Sequence, residues 1–481
     1  MDNTWIRRNA ALKKAQYELL SVTATRDHHL QATWLDPVSG RQEGVATFLI
    51  QNRFPSLTRA LPEVAWDERE IHDLFGYIPQ GHPDLRPLIR TPRWPHAFRP
   101  LQNPPTSPPR WIDVEPDNPA QTVEGEGLTI MKVGPTHAGI IESGHFVFSL
   151  IGENVLHVDA HLFQNHRGVE SLLEELPLAD VAPAISRICG ADTVSHQTNW
   201  ALALEALVEY VPGPAITMGR IQLLECERVL SHLNDLAQIP AGVGFHVAHQ
   251  QALAIKEYWQ RGLQHLYGHR FLFDTVRPGW VSPVEADDVL RLVQGLRERW
   301  SPWRRLVEQH HGFQDRMTRV GIVKLAEVIR FGAQGVVARA AGKAFDARSI
   351  LPLYQDLRPQ PVIESRGDVQ ARFLVRLNEL EDSLRILELA ATRLRRIKMP
   401  HSPSWIPQSD VGGRRVVFTE SPHGLNVHDV ILDHGRVWRY HVRSATYRNW
   451  PLLARAVAGN TVADFPLINK SFELCYSCTD R

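Results

Sequence analysis

At 481 residues the chain is long enough to bury a large core and to hold two or more domains. Lysine plus arginine and aspartate plus glutamate both number 53, so the formal net charge is zero and no global field argues for nucleic acid. Four cysteines, Cys189, Cys226, Cys475 and Cys478, are too few for a secreted disulfide framework and point to a reducing compartment. The N-terminal MDNTWIRRNAALKK lacks the apolar run of a signal peptide, and no stretch approaches the roughly twenty uninterrupted apolar residues of a spanning helix. Membrane association is therefore expected to run through partners.

In chain order, Leu30 to Trp34 and Val45 to Ile50 carry strand-like content around a turn at Pro37 to Gly40, and Asn52 to Leu61 reads as a helix. A dense run of acids and bases follows, Trp66-Asp67-Glu68-Arg69-Glu70-Ile71-His72-Asp73-Leu74-Phe75-Gly76-Tyr77, then Gly81-His82-Pro83-Asp84-Leu85-Arg86. Between Thr91 and Pro119 lie nine prolines, which fix φ, remove donors and disfavour helix in the residue before them. This stretch predicts an extended linker or wrapping arm.

Past the arm, Phe146 to Ile151 and Val155 to Ala160 predict a hairpin or small sheet. Helical patterns then dominate. One helix is expected to begin at Asn165–Glu170. A short one is expected over Val181–Ile188, with Pro183 tolerated in its first turn. Long helices are expected over 197–211 and 217–238. Leu377, Leu380, Leu384, Leu387, Ala391 and Leu394 repeat at helical spacing and mark a bundle-core face, with Lys398-Met399-Pro400 as the stop. The basic cluster Arg393-Leu394-Arg395-Arg396 reads as a solvated helix end. Strands return from Val416 to Val442 around a Pro422-His423-Gly424 turn. The expected fold is α+β: a small α+β unit over 1–90, the proline-rich linker over 91–120, and a mainly α-helical bundle with small β-sheets over 121–481.

The chemistry concentrates in two stretches. Cys475 and Cys478 form a Cys-x-x-Cys pair, and thiolates at that spacing present two soft ligands to one metal. A lone pair supplies half a tetrahedral site. The other candidate is Arg187-Ile188-Cys189-Gly190-Ala191-Asp192-Thr193-Val194-Ser195-His196, where Cys189 and Asp192 share the spacing but a carboxylate takes the second place. The two stretches are expected to meet in space. Cys226, away from any pair, reads as core.

These residues carry a family resemblance. The acid-rich run from Trp66 resembles the 30-kDa-type subunit of respiratory complex I, in which the domain is a docking element without a cofactor. Nearly the whole chain resembles the large subunit of membrane-bound, energy-converting nickel–iron hydrogenases of the formate-hydrogenlyase and hydrogenase-4 type, and the homologous 49-kDa-type subunit of complex I. Further matches are Gly134-Pro135-Thr136-His137, Leu223-Leu224-Glu225-Cys226-Glu227-Arg228, Gly268-His269-Arg270-Phe271, Arg277-Pro278-Gly279, Arg339-Ala340-Ala341-Gly342, Asp346-Ala347-Arg348 and Asn449-Trp450.

The resemblance implies an oxidoreductase subunit with a nickel–iron centre, iron–sulfur clusters on a small partner subunit rather than on this chain, and antiporter-like and other membrane subunits as partners. It places the chain peripherally on the cytoplasmic side of the inner membrane. The family's metal-bearing pattern is Arg-x-Cys-Gly-x-Cys-x-x-x-His early and Asp-Pro-Cys-x-x-Cys-x-x-His/Arg late. Cys189, Cys475 and Cys478 fall on three ligand positions and Asp192 on the fourth, a bridging one.

Three more departures surround the same pocket: His423 replaces an arginine overhanging the metal, Glu473-Leu474 replaces Asp-Pro, and Ala445-Thr446 replaces Pro-Ser. Together with Asp192 they weigh against a complete nickel–iron centre. Glu142 sits where relatives carry a proton-relaying glutamate, and His196 where a histidine bonds a cysteine sulfur. Two other readings are a metal-free coupling subunit acting on a quinone or other acceptor, and a non-catalytic scaffold or zinc site on Cys189, Asp192, Cys475 and Cys478. The complex I quinone pattern wants a histidine at Ile141 and a tyrosine at Gly190, and lacks both, while His137 fits it.

Overall fold

The computed structural model describes residues 3–103, 109–114, 120–137, 142–397 and 410–481. Helix α1 (Asn3–Lys14) is followed by an antiparallel sheet of β1 (Glu18–Ala24), β2 (His29–Leu35) and β3 (Gln42–Phe48), in that order. Short strands β4 (Arg53–Pro55) and β5 (Ile78–Gln80) pair in parallel around α2 (Ala65–Phe75). The helix expected over Asn52–Leu61 does not form. Gln51 and Asn52 take left-handed backbone angles, and Arg53–Pro55 extends to pair with β5. The segment beyond it is held from outside: Glu68 of α2 accepts from the Leu57 N–H at 2.6 Å and from the Ser56 and Thr58 hydroxyls.

The acid-rich run is α2, and its acids are buried joints rather than a solvated face. Asp73 accepts from the N–H groups of Leu88, Ile89 and Arg90. Asp67 pairs with Arg443 at 2.8 Å and Glu70 with Arg481 at 2.9 Å, far along the chain. Strand β1 is buried along its whole length. Its Ser21 and Thr23 hydroxyls donate to Asp429, which also takes Arg414. Within the described part of the proline-rich stretch, Trp94 and Leu101 are buried in the core.

The second sheet is β6 (Leu128–Val133), β7 (His145–Ile151) and β8 (Asn154–His161), antiparallel in that order. Helices α3 (Val169–Glu175), α4 (Leu178–Ile185), α5 (Thr193–Leu207), α6 (Pro214–Ala241) and α7 (His246–Tyr267) follow. After the small ribbon β9 (Val276–Arg277) and β10 (Trp280–Val281) come α8 (Ala286–Gln309), α9 (His311–Met317), α10 (Leu325–Phe331), α11 (Gly335–Ala340) and α12 (Val369–Leu394). The chain closes with the sheet β11 (Gly413–Ser421), β12 (Gly424–Asp433) and β13 (Arg436–Arg443), then α13 (Ala445–Val457) and α14 (Phe465–Phe472).

Helices α6 and α12 pack against each other at the bundle centre, flanked by α7 and α8. The stripe from Leu377 to Leu394 on α12 is buried there, as is Cys226 on α6. The expected stop at Lys398-Met399-Pro400 lies outside the described residues. Arg393 and Arg395, at the end of α12, pair with the exposed Asp356 and Asp287.

Several boundaries differ from expectation for tertiary reasons. Helix α3 starts at Val169, because Gly168, which caps it, takes left-handed angles at φ +66°. Helix α4 starts at Leu178, which puts Pro183 in its interior, two residues before its end. The Pro183 carbonyl is then taken by the Ser186 hydroxyl and Arg187. Helix α5 starts at Thr193, directly after Asp192, capped from a neighbouring helix: the Val194 and Ser195 N–H groups and the Ser195 hydroxyl donate to Glu227 of α6. No described helix is long and apolar enough to cross a membrane.

Candidate metal pocket

The turn between α4 and α5 folds back on Cys189. The Asp192 N–H donates to the Cys189 sulfur at 3.2 Å, and the Thr193 hydroxyl donates to the Cys189 carbonyl at 2.7 Å. The second turn leaves α14 through Glu473, in the left-handed region at φ +45°. The Thr479 and Asp480 N–H groups both donate to the Tyr476 carbonyl, which curls Cys475 and Cys478 toward one side.

The two turns meet. The Cys475 sulfur hydrogen-bonds those of Cys189 and Cys478, and the Cys478 sulfur lies 3.8 Å from Asp192 Oδ2. A ring nitrogen of His196 lies within 4.8 Å of the Cys189 and Cys478 sulfurs. Hydrogen bonds from Cys189 and Cys478 hold the Cys475 thiol well below its usual range. Cys189 is pushed up by its bonds to Cys475 and Cys478 and by burial. The three sulfurs thus influence one another across the two turns.

Asp192 faces two ways. Its Oδ1 lies 3.1 Å from His423 Nδ1. Burial pulls the Asp192 pKa up, but the His423 charge and hydrogen bond outweigh it and leave it lowered. Burial likewise opposes the His423 charge, yet Asp192 and then Asp235 push its pKa up to about 9. His423 stands in the tight turn between β11 and β12, with Nε2 3.8 Å from Asp235, which Arg376 holds at 2.7 Å.

His196 Nδ1 contacts His428 Nε2 at 2.8 Å, and His428 Nδ1 contacts the Tyr440 hydroxyl at 2.7 Å. Burial keeps His196 neutral, with a pKa near 4, and its Nε2 is among the described buried atoms without a partner. Burial and Asp235 push Glu473 up to about 8. Thr446 shares a 2.9 Å hydroxyl bond with Ser444 at the start of α13.

Glu142 is exposed and accepts from the Ser477 N–H at 2.7 Å and from its hydroxyl, between the two C-terminal cysteines. His137 Nε2 is 2.7 Å from the Gly144 carbonyl, a bond that spans its own loop. Ile141 lies outside the described residues. The structure therefore gathers Cys189, Asp192, His196, His423, Cys475 and Cys478 in one pocket, sets Glu142 on its rim, and ties His137 to Gly144.

Sequence reasoning missed Arg167, whose side chain reaches both cysteine turns. It also missed His428 and Tyr440 behind His196. No local motif marks them; only the Arg167-Gly168 pair before a helix start was readable.

The donor set decides what the pocket can hold. The Cys189 and Cys478 sulfurs and the unpartnered His196 Nε2 lie close enough together to suit one soft or borderline metal, with the Cys475 sulfur beside them. A dinuclear nickel–iron centre bridged by two thiolates does not fit, because the fourth position is a hard carboxylate already engaged by His423.

Comparison with known proteins agrees with this architecture. Residues 243–481 match the model of the respiratory-chain NADH dehydrogenase 49 Kd subunit, and residues 11–105 that of the 30 Kd subunit. Formate hydrogenlyase subunit 5 of Escherichia coli (strain K12) is 32% identical over 447 residues, covering 89% of this chain and 77% of the relative. Hydrogenase-4 component G of the same organism is 32% identical, covering 89% and 76%. The C/D 2 subunit of the NADH-quinone oxidoreductase of Aquifex aeolicus is 24% identical, covering 93% and 87%. A chain of the membrane-bound sulfane sulfur reductase, an archaeal respiratory membrane complex, shares the fold, with TM-score 0.68 at 23% identity over 74% of this chain and 99% of its own length. The chain belongs to the large-subunit family of membrane-bound, energy-converting nickel–iron hydrogenases of the formate-hydrogenlyase and hydrogenase-4 type, homologous to the fused 30-kDa and 49-kDa subunits of respiratory complex I. It is an oxidoreductase subunit.

Proposed function

We propose that the chain is the large subunit of a membrane-associated, ion-translocating, hydrogenase-like oxidoreductase complex whose metal pocket is altered at Asp192. It exchanges electrons with a small iron–sulfur partner subunit and is held peripherally on the cytoplasmic side of the inner membrane by that partner and by antiporter-like membrane subunits. Its relatives, among them a membrane-bound hydrogenase and a quinone oxidoreductase, support this reading.

The observation that carries it is the meeting of Cys189, Cys475 and Cys478 beside Asp192 in a buried pocket. Cys189, Cys475 and Cys478 would hold one metal, which when bound supplies a redox or Lewis-acid centre. His196 orients against the sulfurs, and His423 keeps Asp192 ionised and turned from full ligation. Glu142, bonded at Ser477 and open to solvent, carries protons between the Cys475–Cys478 turn and water.

The test is elemental analysis and infrared spectroscopy of the anaerobically purified complex. About one metal per chain is expected at the pocket, lost in Cys478→Ser and kept in Cys226→Ser. The infrared bands of iron-bound CO and cyanide are expected to be absent. A complex without metal at this pocket overturns the redox reading in favour of a scaffold. Stoichiometric nickel with those bands overturns the altered-pocket reading.

A further inference from the structure

Two turns distant in sequence must be held at ligand spacing, and among the described residues no backbone hydrogen bond joins them. The described hydrogen bonds run instead through the Asn165–Glu170 segment. The Arg167 guanidinium donates to the carbonyl of Ile188 at 2.6 Å and to that of Ser477 at 2.9 Å, and also to Arg187 at 3.2 Å. Ile188 directly precedes Cys189, and Ser477 directly precedes Cys478. One planar cation therefore ties together the peptide groups just upstream of the two facing cysteines.

The neighbouring bonds have the same direction. The Arg167 N–H donates to the Asp480 carbonyl at 2.7 Å. Glu170, on the first turn of α3, accepts from Arg481 Nε at 3.0 Å, and Arg481 in turn reaches the Cys478 carbonyl at 3.3 Å. The left-handed Gly168 makes this possible, because it turns the chain between Arg167 and α3 so that both face the tail.

We infer that Arg167 is the positioning residue of the pocket, a splint that sets the distance between Cys189 and Cys478. A guanidinium suits the task, because its rigid fork serves carbonyls on two chain segments at once, whereas an ammonium is a point charge on a flexible stem. Arg167 is solvent-exposed, so its replacement removes the splint without opening the core. The inference rests on the reading that the three sulfurs form one ligand set.

The test reads sulfur spacing alone. The full-length chain, freed of metal by chelator, is oxidised briefly with diamide, and disulfides are mapped by peptide mass spectrometry. The readout is the ratio of cross-turn disulfides involving Cys189 to the within-turn Cys475–Cys478 disulfide, so accessibility cancels. Arg167→Gln is expected to lower the ratio about tenfold, with Arg167→Lys intermediate. Arg261→Gln, at an exposed arginine on α7, is expected to leave it unchanged. An unchanged ratio in Arg167→Gln, or an equal fall in Arg261→Gln, overturns the proposal. Because no metal takes part, failure here is distinct from failure of the metal reading.

Discussion

The Asp192 carboxylate and the His423 imidazole are best understood as one pair. Each group is buried, and each would be costly alone. Together they form a 3.1 Å pair in which the Asp192 charge faces His423. Asp192→Asn takes from His423 the nearer of the two carboxylates that favour its proton, and leaves a buried imidazole without that partner. Breaking a buried pair from one side costs about 3–5 kcal/mol, so a loss of that order is expected in urea unfolding near pH 6. The loss should shrink above about pH 9, where His423 is neutral in either protein. A loss that does not vary with pH would mean that Asp192 acts through packing alone. At this scale the sequence was informative where chemistry is local: the cysteine spacings pointed to the two turns that meet at Cys189 and Cys478. Arg167 was not legible, because its role depends on carbonyls of two remote turns that carry no sequence mark.

Among the elements, those read correctly are the ones whose own periodicity decides their state, such as α12 with its buried stripe and the β11–β12–β13 sheet. Those misread are decided from outside. Helix α5 takes its cap from Glu227 on α6, a carboxyl that burial and Asp192 push up to about 8. The Arg53–Pro55 segment is made a strand by its parallel partner, against its local helical reading. The same logic places His423. Its turn is pressed by the start of α11, where Gly335 adopts φ +61° and an added Cβ would lie 1.9 Å from the His423 carbonyl oxygen and 2.7 Å from Gly424 Cα. Backbone cannot move aside as a flexible side chain does, and the left-handed angle adds its own cost. Gly335→Ala is therefore expected to destabilise the chain by about 2–4 kcal/mol, seen as a lower thermal midpoint, and to displace His423 from Asp192. A midpoint within one or two degrees of the parent would show that the turn is not fixed by α11.

For the molecule as a whole, the sequence showed the order of parts but not how they are joined. The N-terminal sheet and α2 are fastened to the C-terminal sheet and tail by buried polar contacts: Asp67–Arg443, Glu70–Arg481, and Ser21 and Thr23 on Asp429. Burial of this kind extends to neutral histidines, and these weaken the fold in acid. Burial, with Arg481 nearby, lowers His166 to about 4. Burial lowers His196 to about 4 and His428 well below 6.5. In each case the folded pKa lies below the unfolded value of 6.5, so between those values the unfolded chain binds more protons. Their contribution is complete above pH 6.5 and falls as the pH drops toward 4, by about 3 kcal/mol for the fully buried His196. His423 has the opposite sign: its contribution is complete below pH 6.5 and is lost as the pH rises through about 9. The buried carboxyls of Glu227 and Glu473, raised to about 8, carry the opposite slope below neutrality, so the histidine contribution is expected as a difference between variant and parent. Urea midpoints measured from pH 4 to pH 10 check this: the difference between His166→Gln and the parent should move in favour of the variant as the pH falls from 6.5 toward 4 and hold constant above 6.5. A difference that holds constant from pH 6.5 down to 4.5 would mean that His166 takes up its proton in the folded chain.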